Sequence, residues 1–270
     1  MSDGSRFDST AEHYTRHRPG YGDAVIEHLR DRFGLDGAAG GDTGADSGAR
    51  VLDLGCGTGE LAVPLAAHAD EVVAVDPSPA MLAAARERAV DARAGNVRTV
   101  EGDDTDVGSV DAVRGPFRLT TMGRSFHRMD GAATLERVRG ETGPSGGVAL
   151  VTDGEWLTKG TEEWQEEVYA VAGEYIDDLP ERTGPVEYDR TWADHLREAG
   201  FDDVRVETVI ERHELDADGV VGYVLSLSFC SPEMLGDDLP AFEADLRTRL
   251  AELGGPFAYE RTVEVTSGLA

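Results

Sequence analysis

The 270-residue chain is poor in several polar residues that most proteins use freely: it has one lysine (Lys159), one asparagine (Asn96) and one glutamine (Gln165). It has only two cysteines, Cys56 and Cys230, which form no CxxC pair. This scarcity excludes a disulfide framework and a cysteine-based zinc cluster, so we expect both thiols to be free. The sequence also lacks a run of about 18 apolar residues, which argues against a transmembrane helix.

Acidic residues dominate the charge of the chain. It has 53 Asp and Glu against 25 Lys and Arg, which gives a formal net charge of -28 and an isoelectric point near 4.4. The acids are spread along the whole chain and form no acidic tail. Such a surface repels itself unless salt screens it, and the Debye length falls from about 10 Å at 0.1 M to about 3 Å at 1 M salt. The composition therefore resembles that of proteins from salt-accumulating halophiles.

The same charge bears on partners and location. Contacts to phosphate need a basic stripe, and the short arginine cluster at residues 86–93 alternates with acids on a predicted helix. We therefore expect no nucleic-acid partner and interpret that cluster as a solvated helix face. The first residues, MSDGSRFD, are too polar for a secretory signal, so we expect a cytoplasmic location without a membrane partner.

Short apolar runs alternate with helical periodicity between residues 50 and 153. The runs are VLDL, EVVAVD, NVRTV, FRLTTM and GGVALVTD. Strands that are apolar on both faces and separated by helices are typical of a parallel sheet covered on both sides. The pattern predicts an α/β fold with a doubly wound, mostly parallel sheet.

The remaining segments are predicted to complete a single domain over residues 1–270. Residues 1–35 carry short helices around Pro19, and the Gly-, Ala- and Asp-rich residues 36–49 are predicted to be a flexible linker or surface loop. Residues 154–270 contain four amphipathic helices and two strands by periodicity. We expect the two strands to complete a seven-stranded sheet and the helices to form a cap.

The stretch VLDLGCGTGE at residues 51–60 is the most specific motif. Gly55, Gly57 and Gly59 stand at alternate positions directly after an apolar strand. Glycine tolerates positive φ and lets another group approach the main chain. Three glycines in five residues therefore predict a ligand that lies against backbone.

Acids follow each of the first three predicted strands: Asp53, then Asp76, then Asp103 with Asp104. In open α/β sheets, ligands bind at the carboxyl ends of the strands, so these acids are expected to line one crevice. A dinucleotide needs G-x-G-x-x-G, but here the spacing is G-x-G-x-G with Glu60 at the third glycine position. The negative charge of a carboxylate at that position would repel the pyrophosphate of a dinucleotide. S-adenosylmethionine, with its sulfonium, ammonium and ribose diol, suits a carboxylate-lined pocket better.

These motifs, in this order, resemble those of class I S-adenosylmethionine-dependent methyltransferases of the small-molecule kind, similar to the trans-aconitate methyltransferase group. The resemblance covers roughly residues 7–155. VLDLGCGTGE resembles the first family motif, VDPSPAML the second and EGDDTD the loop around the adenine. The segment AEHYTRHRPGY resembles the N-terminal lid of such enzymes. The resemblance implies a Rossmann-like fold with residues 50–153 as the cofactor-binding core.

The resemblance also implies residue roles, which stand as expectations. The main chain of Gly55, Cys56 and Gly57 would lie against the methionine part, and Asp53 would help to hold its ammonium group, with water able to mediate. Asp76 would accept both ribose hydroxyls. The adenine would meet Met81, the Asp103 carboxylate and the Asp104 amide, and Tyr14, Arg18 and Tyr21 would belong to the lid. The remaining candidates for contact with the cofactor are Gly59, Pro77, Gly102, Ser125 and Phe126.

The acceptor side departs from the family pattern. Arg118 stands where an aspartate is often found, and Arg128 stands where tryptophan is common after the phenylalanine and histidine. His127 is the candidate catalytic residue, orienting the acceptor or taking its proton. The alternative is that His127 packs beneath the cofactor and never touches a proton. Methyl transfer from a sulfonium needs mainly alignment and exclusion of water, so a dedicated base is not required.

Two other functions remain open on sequence alone. One is a nicotinamide-dependent oxidoreductase on a similar sheet, and the other is a non-catalytic protein that binds S-adenosylmethionine and has lost its acceptor site. No metal is expected, because His13 and His17 have helical spacing without a third ligand. The expected partner is a small-molecule methyl acceptor.

Overall fold

A computed structural model describes residues 17–35, 49–183 and 191–270. Tyr14 and His13 lie outside the described residues, as does the predicted linker apart from Ala49. Every structural statement below refers to the described part of the chain.

Helices and strands follow one another in the order that the sequence pattern predicts, with two additional short helices at Trp156–Lys159 and Pro232–Leu235 that periodicity did not predict. The helices are α1 (Asp23–Phe33), α2 (Ala62–Leu65), α3 (Pro79–Asp91), α4 (Gly131–Gly140), α5 (Trp156–Lys159), α6 (Glu163–Tyr175), α7 (Trp192–Glu198), α8 (Ala217–Leu225), α9 (Pro232–Leu235) and α10 (Leu239–Leu253). The strands are β1 (Arg50–Leu54), β2 (Glu71–Asp76), β3 (Val97–Glu101), β4 (Phe117–Gly123), β5 (Thr142–Asp153), β6 (Asp202–Leu215) and β7 (Phe257–Leu269). Short 3-10 turns cover Ala66–His68, Asp104–Asp106, Asp111–Val113, Phe126–Arg128 and Gly236–Asp238.

All seven strands belong to one sheet, with the order β3-β2-β1-β4-β5-β7-β6. The pairs β3–β2, β2–β1, β1–β4 and β4–β5 are parallel. The strand order places β1 beside β2 and β4, so the carboxyl ends of these strands lie at one edge of the sheet. The predicted seven-stranded, doubly wound architecture is confirmed.

Alternate residues of the central strands pack into two different apolar clusters. Val51 and Val72 belong to one cluster, together with Leu29 of α1. Leu52 and Val73, their immediate neighbours, belong to the other cluster. Successive side chains of a strand point to opposite faces, so the sheet is buried on both sides, as its continuous apolar runs require.

The chain divides into two compact units. The first, which we call the sheet unit, comprises the described residues 20–35, 49–152, 191–209 and 263–270. The second, which we call the helical unit, comprises the described residues 17–19, 153–183 and 210–262. The helical unit has its own apolar core, in which α10 packs against α6 and α8.

Membrane insertion through a helix has no support in the described residues. None of the helices there combines the length and the apolar character needed to cross a lipid bilayer.

Candidate functional site

The glycine turn after β1 has the backbone conformation that the motif predicts. Gly55, Gly57 and Gly59 have φ values of 71°, 54° and 82°, in the left-handed region that glycine tolerates best. The amides of Gly55 and Cys56 both donate to the Val75 carbonyl of β2, at 2.8 and 2.9 Å. These bonds tie the turn to the end of the neighbouring strand.

Two glycines of the turn have different surroundings. A Cβ atom at Gly55 would lie only 2.5 Å from Cβ of Ser125, which follows β4. A Cβ atom at Gly57 would have no heavy atom within 4 Å among the residues that the structure describes. Gly55 thus allows close packing inside the protein, whereas Gly57 faces open space in which a ligand could approach the backbone.

Asp76 ends β2 and lies beside this open face. Its carboxylate accepts hydrogen bonds from the Gly57 amide and from the Ser78 amide, both at 2.9 Å. Burial raises the pKa of Asp76 above its ordinary value, while the two amides and the charge of Arg128 act in the opposite direction. Asp76 is therefore a half-buried carboxylate held at the rim of the glycine turn.

Asp53 is buried, and both of its oxygens are engaged inside the protein. One accepts from the Thr121 hydroxyl at 2.8 Å and the other from the Ala62 amide at 3.1 Å. Burial raises the pKa of Asp53 to about 7, against the lowering effect of these two bonds. The side chain thus links β1 to β4 and α2, and its contact with an ammonium group stays a prediction.

Cys56 is also buried in the turn, with 6% of its surface exposed. Burial raises the pKa of its thiol well above the ordinary value. The thiol is therefore protonated at neutral pH, which agrees with the predicted contact through main chain and not through a thiolate.

The segment after β2 starts α3. Ser78 is the N-cap and accepts from the Met81 amide at 3.2 Å, and Pro79 occupies the first turn. Met81 is 4% exposed. Pro77, by contrast, is exposed at the end of the strand. Met81 therefore lies in the apolar layer near the crevice, and its packing against adenine stays a prediction.

The acidic loop after β3 is folded around its own side chains. Asp103 caps a 3-10 turn and accepts from the amide and hydroxyl of Thr105, at 2.8 and 2.6 Å. These bonds lower the pKa of Asp103, whose side chain is exposed. The Asp103 amide donates to Asp106 at 2.9 Å, and a Cβ atom at Gly102 would collide with the same carboxylate.

Asp104 differs from Asp103 because its side chain is committed to helix α4. Its carboxylate accepts from the Thr134 hydroxyl at 2.7 Å and lies 3.4 Å from the Arg137 guanidinium. The predicted contact of Asp104 with adenine uses its backbone amide and not this carboxylate. That contact therefore stays a prediction.

The end of β4 supplies the residues next to the turn. The Ser125 hydroxyl donates to the Leu54 carbonyl at 2.7 Å. Phe126 is 4% exposed and packs edge-on against Trp192 and His195, with ring centroids 5.8 Å away in both cases. His127 is exposed. Contact of Ser125, Phe126 or His127 with a cofactor or acceptor stays a prediction. The buried ring of Phe126 packs against other aromatic side chains of the protein.

The lid candidates lie in different compact units. Tyr21 belongs to the sheet unit, where its hydroxyl would lie 3.0 Å from a Cβ atom at Gly123, the last residue of β4. Arg18 belongs to the helical unit, where it donates to the Ser226 hydroxyl at 3.1 Å and lies over the ring of Tyr223 at 5.1 Å. Tyr21 is thus close to the candidate site, and Arg18 has partners in the helical unit.

The sequence analysis did not predict that Arg124 stacks on Tyr21, and it wrongly linked Arg118 to the acceptor side of the site. The Arg124 guanidinium lies over the Tyr21 ring at 4.8 Å, and Arg124 has a φ of 54°, which is rare for a side chain of this size. No sequence signal pointed to that stack. Arg118 donates to the carbonyls of Phe33 and Pro144 at 2.6 and 3.2 Å, at the start of β4 and away from its carboxyl end. Its departure from the family pattern therefore does not bear on the acceptor side.

Two further features lie outside this site. A cleft of about 700 Å³ in the helical unit is lined by β6, α8, α10 and the start of β7, and includes none of the glycine-turn residues. Within the described residues, no three His, Cys, Asp or Glu side chains are grouped to hold a metal ion.

Comparison with known proteins supports the same interpretation of the turn. Residues 51–146 match a family model described as "Methyltransferase domain". A trans-aconitate 2-methyltransferase of Mycobacterium sp. (strain KMS) is 54% identical over 67 residues, which are 24% of this chain and 26% of that protein. An uncharacterized methyltransferase of Mycobacterium bovis is 32% identical over 177 residues, 65% of this chain and 62% of that protein. The match thus covers about a quarter of the length of the Mycobacterium sp. protein and somewhat under two thirds of the length of the Mycobacterium bovis protein.

Solved structures with the same fold include methyltransferases. A putative type II methyltransferase from Anaeromyxobacter dehalogenans has a TM-score of 0.60 at 19% identity, covering 93% of this chain and 97% of that one. An S-adenosylmethionine-dependent methyltransferase from Thiobacillus denitrificans, solved with S-adenosyl-L-homocysteine, has a TM-score of 0.52 at 18% identity and covers 100% and 99% of the two chains. The resemblance inferred from the motifs agrees with these matches: residues 51–146 match the methyltransferase-domain family, and the chain has the fold of S-adenosylmethionine-dependent methyltransferases.

Proposed function

We propose that the protein transfers the methyl group of S-adenosylmethionine to a small-molecule acceptor. The observation that carries this proposal is the glycine turn at the carboxyl end of β1. Its Gly57 backbone faces open space beside the Asp76 carboxylate, within the residues that match a methyltransferase domain. The Thiobacillus relative of the same fold was solved with the demethylated product of this cofactor, which supports the choice.

The residues at the turn suit this cofactor. The open face at Gly57 would let the methionine part lie against main chain, and Asp76 would hold the ribose hydroxyls through its two oxygens. Exposed Asp103 would accept from the adenine amino group. A negatively charged diphosphate would meet Asp76, Asp103 and the buried Glu60. The set of donors and acceptors therefore favours a cationic nucleoside over a dinucleotide.

The cofactor supplies an activated methyl group on a positively charged sulfur, so the chain needs to orient the acceptor and exclude water. Tyr21 is 8% exposed beside the end of β4 and would shield that side of the crevice. His127, which is exposed on the following turn, would orient the acceptor or take its proton. We expect the orienting role to dominate because transfer from an activated sulfonium depends mainly on alignment, and an acceptor that is already deprotonated has no proton to give up.

The acceptor that fits this site best carries a carboxylate. Arg124 follows the last residue of β4, and Arg128 lies close enough to Asp76 for its charge to oppose the rise that burial causes in the pKa of that carboxyl. Two guanidinium groups near one edge of a strongly acidic chain would attract an anionic acceptor. The Mycobacterium sp. relative named for trans-aconitate agrees with this choice over its matched 67 residues.

Binding is the first test. Isothermal titration calorimetry of the folded protein at molar potassium chloride should detect S-adenosylhomocysteine, and NAD should give no heat of binding. Asp76→Asn should weaken binding, whereas the matched control Asp91→Asn, at the exposed end of α3, should not. Folded protein that binds NAD and neither form of the methyl donor would overturn the proposal.

Turnover is the second test. A panel of small acceptors, half with carboxylates and half neutral, should yield S-adenosylhomocysteine preferentially with the carboxylates. Equal rates with the neutral acceptors would contradict the proposal of an anionic acceptor. They would still support methyl transfer as the activity. Binding of the methyl donor without turnover on the whole panel would favour a non-catalytic binding protein. A cytoplasmic location stays a prediction from the polar first residues of the sequence.

A further inference from the structure

The glycine motif ends on a buried acid, Glu60. The side chain of Glu60 is only 6% exposed, and Thr58, two residues earlier, is fully buried. The Thr58 hydroxyl donates to Oε1 of Glu60 at 2.9 Å. A carboxylate in such a place is costly unless a positive group is paired with it. The conformation of the turn therefore depends on where that positive charge comes from.

Arg88 on helix α3 supplies the charge. Its Nη2 lies 3.4 Å from Oε1 of Glu60 and 3.5 Å from the hydroxyl oxygen of Thr58, so three polar atoms form one group. The sequence pattern predicted a solvated face for the arginines of residues 86–93, but the Arg88 side chain is only 29% exposed. We call Arg88, Glu60 and Thr58 the Arg88 cluster.

The guanidinium of Arg88 is placed at some cost. Its Nε is buried and has no hydrogen-bond partner within the described part of the chain. An unpaired buried donor loses its hydration without replacement. The pairing of Nη2 with Glu60 helps to offset that loss, so the arginine is held there by the acid of the glycine motif.

Helix α3 also packs directly on the glycine turn. A Cβ atom at Gly59 would lie 3.4 Å from Cβ of Ala85, which is three residues before Arg88 and so on the same face of the helix. At the other end of the turn, the Gly57 amide donates to Asp76 at 2.9 Å. The turn is therefore fixed at one end by the Asp76 carboxylate and at the other by the Arg88 cluster.

Gly20 covers the cluster from another side. A Cβ atom at Gly20 would lie 3.6 Å from Cγ of Glu60 and 3.9 Å from Nη1 of Arg88. Gly20 and all members of the cluster belong to the sheet unit. This backbone keeps water from the Glu60 end of the pair, and the attraction between opposite charges is stronger where water is excluded.

We infer that Arg88 is a positioning residue for cofactor binding: by neutralising Glu60 and holding it with Thr58, it keeps the Gly57 backbone turned toward the ligand. The inference rests on the proposed function. Arg88 acts through Glu60 and Thr58 and need not touch the cofactor or the acceptor. Without Arg88, the charge of Glu60 would be buried and unpaired, and the turn would have to open to hydrate it.

The test compares four variants at molar potassium chloride. Arg88→Met removes the guanidinium, Arg88→Lys keeps a positive charge, and Arg88→Met combined with Glu60→Gln removes both charges of the pair. Arg86→Met is the matched control, because Arg86 is exposed on the same helix and donates to the Thr99 hydroxyl at 2.7 Å. Calorimetry with S-adenosylhomocysteine should show about tenfold weaker binding for Arg88→Met, with partial recovery in Arg88→Lys. The control should stay within about twofold of wild type.

The double variant separates positioning from a general loss of stability. A neutral amide at position 60 still accepts from the Thr58 hydroxyl but needs no counter-charge. We therefore expect the double variant to bind within about threefold of wild type, whether or not Arg88→Met alone folds. A double variant that binds no better than Arg88→Met, or that fails to fold, would overturn the inference. Binding by Arg88→Met within about twofold of wild type would also overturn it.

Amide hydrogen exchange gives a readout that needs no ligand. Exchange at residues 57–61 should be faster in folded Arg88→Met than in wild type and should return toward the wild-type rate in the double variant, while α4 keeps its protection. Unchanged exchange in Arg88→Met would count against the role of Arg88. Wild type that fails to bind S-adenosylhomocysteine defeats the proposed function, and the exchange experiment still tests whether Arg88 holds the turn.

Discussion

At the scale of single residues, the turn at residues 55–59 uses glycine for two different purposes. Gly55 lies against Ser125, so any side chain there would overlap an existing atom. Gly57 also has positive φ, but a Cβ atom added there would have no heavy atom of the described residues within 4 Å. The first glycine serves packing inside the protein, and the second keeps backbone accessible from outside.

Substituting each glycine by alanine should separate folding from binding. Gly55→Ala combines positive φ with overlap at Ser125 and should lower the free energy of unfolding by about 3 kcal/mol or more. Gly57→Ala carries only the backbone cost of about 1–2 kcal/mol, but its methyl group should weaken S-adenosylhomocysteine binding by about tenfold. Thermal unfolding and calorimetry measure the two effects. Wild-type affinity in folded Gly57→Ala would contradict the assignment of its open face.

The buried carboxyl of Asp53 should make stability depend on pH. Burial raises its pKa from 3.8 to about 7, so between these values the unfolded chain has lost a proton that the native state retains. The free energy of unfolding from this group should therefore be highest below pH 4 and fall as pH rises to 7, by at most about 4 kcal/mol. Urea unfolding of wild type and Asp53→Asn at fixed molar salt checks this. The difference between their stabilities should change over that window, and parallel pH curves would contradict the prediction.

Sequence reasoning located the backbone of the site better than its side chains. Gly55, Gly57 and Asp76 could be predicted as neighbours because a strand, a turn and the next strand fix where they fall. The Asp53 and Asp104 carboxylates bind Thr121 and Thr134, which are distant in sequence. Nothing in the local pattern says which distant hydroxyl a carboxylate will meet, so these contacts could not be predicted.

At the scale of elements, the 3-10 turn after β3 has two acids with different tasks. Asp103 caps the turn from an exposed position, whereas Asp104 links it to α4 through Thr134 and Arg137. The Asp103 carboxylate thus stabilises the loop, and the Asp104 carboxylate stabilises the contact between the loop and α4.

Asparagine at each position should reveal that division. Asp104→Asn weakens a charge-assisted contact and should lower the free energy of unfolding by about 1–2 kcal/mol. Asp103→Asn keeps a good capping residue, so it should change stability by only a few tenths of a kcal/mol while weakening S-adenosylhomocysteine binding. Chemical unfolding and calorimetry on both variants give the comparison. A result with the two effects exchanged would show that Asp104, and not Asp103, faces the ligand.

The order of elements was predictable because apolar runs and helical periods alternate clearly up to residue 153. The two last strands were predicted to join the sheet, and they do. The position of β7 between β5 and β6 could not be predicted, because strand order depends on long-range pairing that periodicity does not encode. The burial of Arg261 was likewise not predicted, although the alternation in FAYERTVEV puts it on the same face as Tyr259.

At the scale of the whole molecule, charge is the unusual property. With a formal net charge of -28, at least 28 acids have no Lys or Arg available for one-to-one pairing. Exposed pairs such as Arg249 with Glu167 and Arg212 with Glu260 use up part of the small supply of arginine. The remaining repulsion destabilises the compact state unless ions screen it.

The folded state should therefore require salt. We expect the native circular dichroism signal to decline as potassium chloride is lowered from molar to millimolar concentration. Sucrose of equal osmolality should not replace the salt, because it does not screen charge. A full native signal at low salt would contradict the prediction and remove the support for a halophilic origin.

The strand order has a practical consequence for dissecting the protein. The family match ends at residue 146, yet β5 continues to Asp153 and its far neighbour in the sheet is β7, which lies at the end of the chain. A fragment truncated after residue 146 would lose β6, β7 and most of β5, including the residues from Gly147 to Val151 that pair with β4, and would leave β4 as an unpaired edge. Exposed apolar edges of this kind recruit other chains and aggregate. The matched stretch is thus too short to be studied as an independently folding fragment of the protein.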